Sequence, residues 1–150
     1  MAEVVVRVDV AAPPRSVWET LVDWRTHHEW MVLTKVEPTT QAQADVGAGI
    51  VGVTGIGPVV FRDPMTVTGW QPPPADPARC QVAHTGRLVR GAGAFEVEQT
   101  AAGSRVVWSE WVQLPFGLLG EAAWLAVRPV AALFLQISLR RLARLVEKAA

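Results

Sequence analysis

The chain has 150 residues, enough for one domain over 1–150, and half of them are hydrophobic, so it can bury a sizeable core. Its 14 basic and 14 acidic residues balance, which argues against a nucleic-acid partner, since such a partner needs a basic stripe. The single cysteine, Cys80, cannot form an internal disulfide, and no cysteines and histidines have zinc-site spacing, so we expect no metal or cofactor.

The N-terminal segment predicts a strand with one solvent-facing side. Between positions 3 and 10, valines alternate with Glu3, Arg7 and Asp9, which is the period of two that a strand requires. Because Arg7 and Asp9 interrupt the apolar run and no basic segment precedes it, the pattern is not that of a signal peptide. We therefore expect a cytoplasmic protein.

Two short helices are expected after this strand. Pro14 suits the first turn of a helix, and the apolar residues from Val17 to Val22 follow at helical spacing. A second short helix is predicted at about Arg25 to Trp30.

From Thr34 onward, short apolar runs broken by glycine and proline predict strands joined by turns. The predicted strands lie near residues 34–41, 48–54, 59–70, 79–90, 93–100 and 105–113. Because the connections are short, an antiparallel meander is expected.

After Gly117 the hydrophobic period becomes helical and stays so to the end of the sequence. Apolar residues follow one stripe from Leu119 to Ile137, which predicts an amphipathic helix of roughly thirty residues with a kink at Pro129.

The first part of this helix is apolar enough to raise the question of a transmembrane segment. Arg128 lies near its middle, and a central arginine costs about 2.5–3.5 kcal/mol on insertion. We therefore expect no transmembrane segment. Peripheral contact with a membrane stays open, through Arg140, Arg141 and Arg144 facing anionic headgroups.

The order of strand, two helices, six strands and long helix resembles that of a known superfamily. The local stretches that match are Ala11–Trp18, the pair Asp23 and Trp24 with Trp30 shortly after, Gly69–Pro73, and Arg105–Trp108. The chain is similar to START domains, polyketide cyclases/dehydrases and Bet v1-like proteins, the SRPBCC superfamily, which includes lipid-transport proteins. The resemblance implies an α+β helix-grip fold: a curved seven-stranded antiparallel sheet wrapped around a long C-terminal helix, with two short helices after strand 1.

A curved sheet closed by one helix leaves an apolar space between them. Strand alternation and the position of the tryptophans predict its lining. The residues predicted to contact a ligand there are Trp24, Trp30, Phe61, Met65, His84, Phe95, Trp108 and Trp124. On the fifth strand, where the pattern is ambiguous, the inward face is taken as Val82, His84, Gly86 and Leu88.

The same alternation turns Asp63, His84 and Glu110 inward. Buried carboxylates are costly unless they are paired or hydrogen-bonded. One interpretation is that the three groups satisfy one another, or bond to Arg87, Arg90 and backbone. The other is a catalytic role, with His84 and either Asp63 or Glu110 as an acid–base pair.

Three functions stay open at this point, since the scaffold itself selects none of them. The first is the binding, with or without transport, of an apolar small molecule such as a lipid, polyketide or isoprenoid. The second is an enzyme of the cyclase or aromatase type that uses the same cavity. The third is a protein-interaction module, which an exposed Trp70 or Trp111 would favour. Both a monomer and a homodimer are compatible with the sequence.

Overall fold

A seven-stranded antiparallel sheet organises the chain in a computed structural model, which describes residues 2–150. The strands are β1 (Ala2–Val10), β2 (Thr34–Pro38), β3 (Gly49–Ile56), β4 (Val59–Gln71), β5 (Ala78–Thr85), β6 (Arg90–Thr100) and β7 (Gly103–Gln113). Their order across the sheet is β1-β7-β6-β5-β4-β3-β2, so each strand from β2 to β7 lies beside the next one in sequence. The predicted meander is confirmed, with β1 added beside β7.

Three helical segments accompany the sheet. Helix α1 (Pro14–Leu21) and a 3₁₀ helix (Trp24–Glu29) follow β1, and the long helix α2 (Gly117–Ala149) ends the chain. Pro14 occupies the first turn of α1, where its missing N–H costs nothing. Helix α2 continues through Pro129. The predicted α+β helix-grip fold is confirmed.

The connection between β5 and β6 differs from the prediction. The break lies at residues 86–89, before the glycines that were expected to form it. Gly86 is therefore in the turn and Leu88 is 73% exposed, so their predicted inward placement is wrong. Gly91 instead lies inside β6 with a φ of +131°, where a Cβ would collide with the backbone carbonyl of Trp111. Here glycine permits a close approach of two strands, which sequence alone cannot distinguish from a turn.

The hydrophobic core fills one end of the space between sheet and helices. Trp18 and Leu21 of α1 pack there with Leu139 and Leu142 of α2 and with Val106 of β7. The hydroxyl of Ser138 accepts a hydrogen bond from the backbone N–H of Val32 at 3.0 Å, which ties α2 to the start of the meander.

Helix α2 is buried only in its second half. Its buried residues are Ser138, Leu139, Leu142, Ala143 and Val146. Residues 116–130 are exposed apart from Gly120 and Trp124, so most of the apolar stripe that begins at Leu119 faces solvent. By length and composition α2 could cross a membrane, and 11% of its apolar stretch is buried. Because its second half is part of the core, the helix is an element of this domain.

Candidate functional site

A cavity of about 370 Å³ lies between the sheet and α2, next to the core. Every strand from β1 to β7 contributes to its wall, together with the 3₁₀ helix and the middle of α2. Seven of the eight predicted ligand residues line it: Trp24, Phe61, Met65, His84, Phe95, Trp108 and Trp124. Contact of these seven side chains with a ligand stays a prediction.

Trp30 is the residue that lies elsewhere. It is fully buried, and its ring packs edge-on against Phe95 and Trp108 at centroid distances of 6.2 and 6.1 Å. Trp30 therefore supports two wall residues from behind and does not line the cavity. Its sequence position, at the end of a short helix, carries no period from which this orientation could be predicted.

Three polar side chains meet on the cavity wall. Nδ1 of His84 lies 2.9 Å from Oδ2 of Asp63, and Nε2 of His84 lies 2.8 Å from Oε2 of Glu110. Strand register brings the three side chains together. His84 of β5 is paired with Met65 of β4, which is two positions from Asp63. His84 is also paired with Gly91 of β6, which is two positions from Gly93, the residue paired with Glu110. This geometry agrees with the interpretation that the three groups satisfy one another's hydrogen bonds. Arg87 and Arg90 take no part in these contacts.

This arrangement makes His84 a cation at neutral pH. Burial alone would lower its pKa, but the hydrogen bonds and negative charges of Asp63 and Glu110 outweigh burial and raise the pKa of His84 from 6.5 to about 10. Both ring nitrogens then carry protons, and both are donated to carboxylates. With two carboxylates and one imidazolium, the cluster has a net charge of −1.

Two further contacts hold Glu110 in place. The indole Nε1 of Trp108 donates a hydrogen bond of 2.9 Å to Oε1 of Glu110. Across the β6–β7 pair, Gly93 lies opposite Glu110, and a Cβ on Gly93 would be 2.7 Å from that same Oε1. Gly93 thus leaves the room that the carboxylate occupies. Gly93 was not among the predicted site residues, although the pairing of β6 with β7 across the short turn between them places it opposite Glu110.

His27 is a second missed residue of the wall. Its Nε2 donates to the backbone oxygen of Leu21 at 2.7 Å, and its Nδ1 is buried with no hydrogen-bond partner among residues 2–150. Burial lowers the pKa of His27 to about 4, so Nδ1 is an unprotonated acceptor at neutral pH. A His-His pair in a short helix gives no signal as to which ring faces inward.

The remaining polar side chains of the wall have mostly used their donors. Oγ1 of Thr34 donates to the backbone oxygen of Val32, which leaves Thr54 as the donor in the 2.9 Å contact between the two hydroxyls. The indole of Trp24 donates to the backbone oxygen of Gln43. No lysine or arginine is among the described residues of the lining. The cavity therefore offers several acceptors and few free donors.

Within residues 2–150 no group of three or more histidine, cysteine, aspartate or glutamate side chains is arranged to hold a metal ion. The nitrogens of His84 are directed at carboxylates instead, and the thiol of Cys80 has its pKa raised to about 12 by burial, which disfavours a thiolate ligand.

The two tryptophans named for a protein-interaction surface are partly buried. The ring of Trp70 packs on Trp18 at a centroid distance of 5.2 Å, and the indole N–H of Trp111 is bonded to the carboxylate of Glu3. They form no exposed aromatic patch of the kind that would favour that function.

Comparison with known proteins gives a family and a fold. Residues 1–147 match the family described as "Polyketide cyclase / dehydrase and lipid transport". The chain is similar in structure to TTHA0849 from Thermus thermophilus, with a TM-score of 0.82, 17% sequence identity and 99% of each chain covered. It is also similar to MLL2253 from Mesorhizobium loti, with a TM-score of 0.68, 15% identity and 99% of each chain covered. No curated protein matches the sequence.

Proposed function

Because the chain belongs to the polyketide cyclase/dehydrase and lipid transport family, we propose that it binds an apolar small molecule in the cavity between sheet and α2. We propose further that this molecule carries a hydrogen-bond donor and no negative charge. The observation that carries the proposal is the wall itself: apolar and aromatic on most sides, with one acidic cluster. A volume of about 370 Å³ is in the range of small-molecule sites.

The polarity of the wall supports the second part of the proposal. A hydroxyl or amine of the ligand would find hydrogen-bond acceptors in the carboxylates of Asp63 and Glu110, whose side chains are both partly accessible. A carboxylate or phosphate would meet the net negative charge of the cluster without a lysine or arginine to balance it. A long-chain alcohol or hydroxylated isoprenoid therefore fits the cavity better than a fatty acid.

Titration with three twelve-carbon probes that differ only in their headgroup tests this proposal. Tryptophan fluorescence reports binding, since Trp24, Trp108 and Trp124 line the cavity. Dodecan-1-ol and dodecylamine are expected to bind, and dodecanoate to bind about tenfold or more weakly. If none of the probes binds, the cavity has no such function. If dodecanoate binds as tightly as dodecan-1-ol, the assigned ligand polarity is wrong.

The variant Glu110→Gln sharpens the same experiment. It keeps the size of the side chain, removes one negative charge and introduces an N–H donor, so the discrimination against dodecanoate is expected to shrink. Glu96→Gln is the matched control, because Glu96 pairs with Arg79 and does not line the cavity. Equal effects of the two substitutions would contradict a direct role of Glu110.

The cyclase or aromatase alternative needs a different assignment within the same cluster. An imidazolium whose two N–H groups are both bound to carboxylates cannot accept a proton, so His84 is unsuited to the role of base at neutral pH. A carboxylate of Asp63 or Glu110 would be the base, with His84 holding it in position. The family supports ligand binding as a common property of carriers and enzymes, and the proposal is limited to that.

A further inference from the structure

Exposed apolar side chains are concentrated in the connections at one end of the strands. Six of them, which we call the rim, are between 70% and 83% exposed: Ile56, Val59, Leu88, Phe116, Leu118 and Leu119. Exposed apolar surface of this kind on a folded domain is typical of a binding site for another molecule.

Sheet topology places the rim residues together. In an antiparallel meander every second connection lies at the same end of the strands, and the β3–β4, β5–β6 and β7–α2 connections are three of these. Arg90, the first residue of β6, is paired both with Thr85 at the end of β5 and with Gln113 at the end of β7. The β3–β4 hairpin extends beyond them, because β4 pairs with β5 only from Met65 onward.

The rim is continuous along the chain with the cavity wall. Phe61 follows the rim residue Val59 at a distance of two positions, Val89 follows Leu88 directly, and Trp124 lies just over one turn of α2 beyond Leu119. Whatever covers the rim therefore also lies at this end of the cavity.

Four exposed arginines lie in the segments that carry the rim. Arg62, Arg87, Arg90 and Arg128 are exposed, and within residues 2–150 none of them has a carboxylate within 4.0 Å. Glu3 and Glu121 are the exposed acidic groups at this end of the strands, and Glu3 is already bonded to Trp111. The partly buried cluster of Asp63, His84 and Glu110 adds one negative charge, which leaves the four arginines in excess. This end of the strands therefore combines exposed apolar side chains with excess positive charge.

We propose that the rim docks on the surface of a bilayer that contains anionic lipid, with its apolar side chains at the acyl boundary and the four arginines among the headgroups. This combination is the one that binds an interface without spanning it. A second copy of the chain is a poorer occupant, because it would bring four more unpaired arginines against the first four.

The proposed surface differs from the basic face considered from the sequence. Arg140, Arg141 and Arg144 lie in the half of α2 whose apolar residues Leu139 and Leu142 are buried in the core. Arg141 lines a groove with Arg62 beside the β3–β4 hairpin, whereas Arg140 and Arg144 are not part of that lining.

Co-sedimentation with vesicles tests the docking. Wild-type protein is expected to pellet with phosphatidylcholine vesicles containing a quarter phosphatidylglycerol, and to bind pure phosphatidylcholine about tenfold more weakly. The double variant Leu88→Glu/Leu119→Glu changes two exposed residues and should lower binding to the anionic vesicles by about tenfold or more. Absence of wild-type binding to the anionic vesicles overturns the proposal.

Two control variants identify the surface. Val46→Glu/Ala102→Glu introduces the same two charges at exposed residues of the β2–β3 and β6–β7 connections, at the opposite end of the strands, and should bind as the wild type does. Arg140→Ala/Arg144→Ala should retain most of the binding. If either control loses as much binding as the rim variant, the rim is not the docking surface.

Light scattering on the same samples tests whether a second copy of the chain covers the rim. The wild type and the Leu88→Glu/Leu119→Glu variant are both expected to be monomers in the absence of vesicles. A wild-type dimer that the rim substitutions convert to a monomer would overturn the proposal, since the rim would then be an interface between copies.

Discussion

His84 and His27 are both buried, yet their pKa values move in opposite directions because their partners differ. Burial lowers the pKa of His27 to about 4, and its single partner, the backbone oxygen of Leu21, compensates only in part. At His84 burial acts in the same direction, but two carboxylates reverse the outcome and raise the pKa to about 10. At neutral pH the cavity wall therefore contains one neutral and one charged histidine.

The raised pKa of His84 predicts how stability depends on pH. Because the folded state holds the proton more tightly than the unfolded chain does, the stabilisation is fully present below pH 6.5 and is lost as the pH rises towards 10. The loss is expected to be on the order of a few kcal/mol. Urea unfolding at intervals from pH 6 to 10, compared with His84→Gln, measures it.

The His84→Gln variant should show little of this pH dependence, since it lacks the titrating group. A ring of His84 that titrates near pH 6.5 in an NMR titration of the wild type would contradict the assignment.

The two halves of α2 differ in what they contact, although both are apolar. Leu142 is fully buried among the core residues, whereas Leu118 is 83% exposed at the rim. The second half therefore holds the helix on the sheet, and the first half is available for contacts with other molecules.

Alanine substitutions in the two halves should reflect this difference. Leu142→Ala removes buried methyl groups and leaves a cavity, which is expected to cost about 2–5 kcal/mol of unfolding free energy. Leu118→Ala, the matched control, should change it by no more than about 0.5 kcal/mol. Chemical denaturation of both variants measures the effects, and a large loss at Leu118 would mean that the first half of α2 is packed.

Sequence patterns predicted the elements better than their contacts. The period of two identified the inward faces that carry Asp63, His84 and Glu110, because those strands keep regular alternation up to the cluster. The end of β5 was not predictable, because a glycine inside a strand, such as Gly91, looks the same as a glycine in a turn. The packed part of α2 was not predictable either, because the exposed first half of the helix is as apolar as the buried second half.

At the scale of the whole molecule, core and cavity divide the space between sheet and α2. Tryptophans serve both regions: Trp18 and Trp30 are core residues, while Trp24, Trp108 and Trp124 line the cavity. The order of elements was sufficient to predict the fold. The cavity, its acidic cluster and the exposed rim depend on which side chains meet, and that required the structure.

The indole N–H resonances of the seven tryptophans provide the most direct test of the central claim, that an apolar ligand occupies this cavity. Dodecan-1-ol is titrated into ¹⁵N-labelled protein and the resonances are followed by NMR. We predict saturable shifts for Trp24, Trp108 and Trp124, with Trp70 and Trp111 unchanged because neither lines the cavity. Shifts confined to Trp70 or Trp111, or no shift at all, would contradict the account.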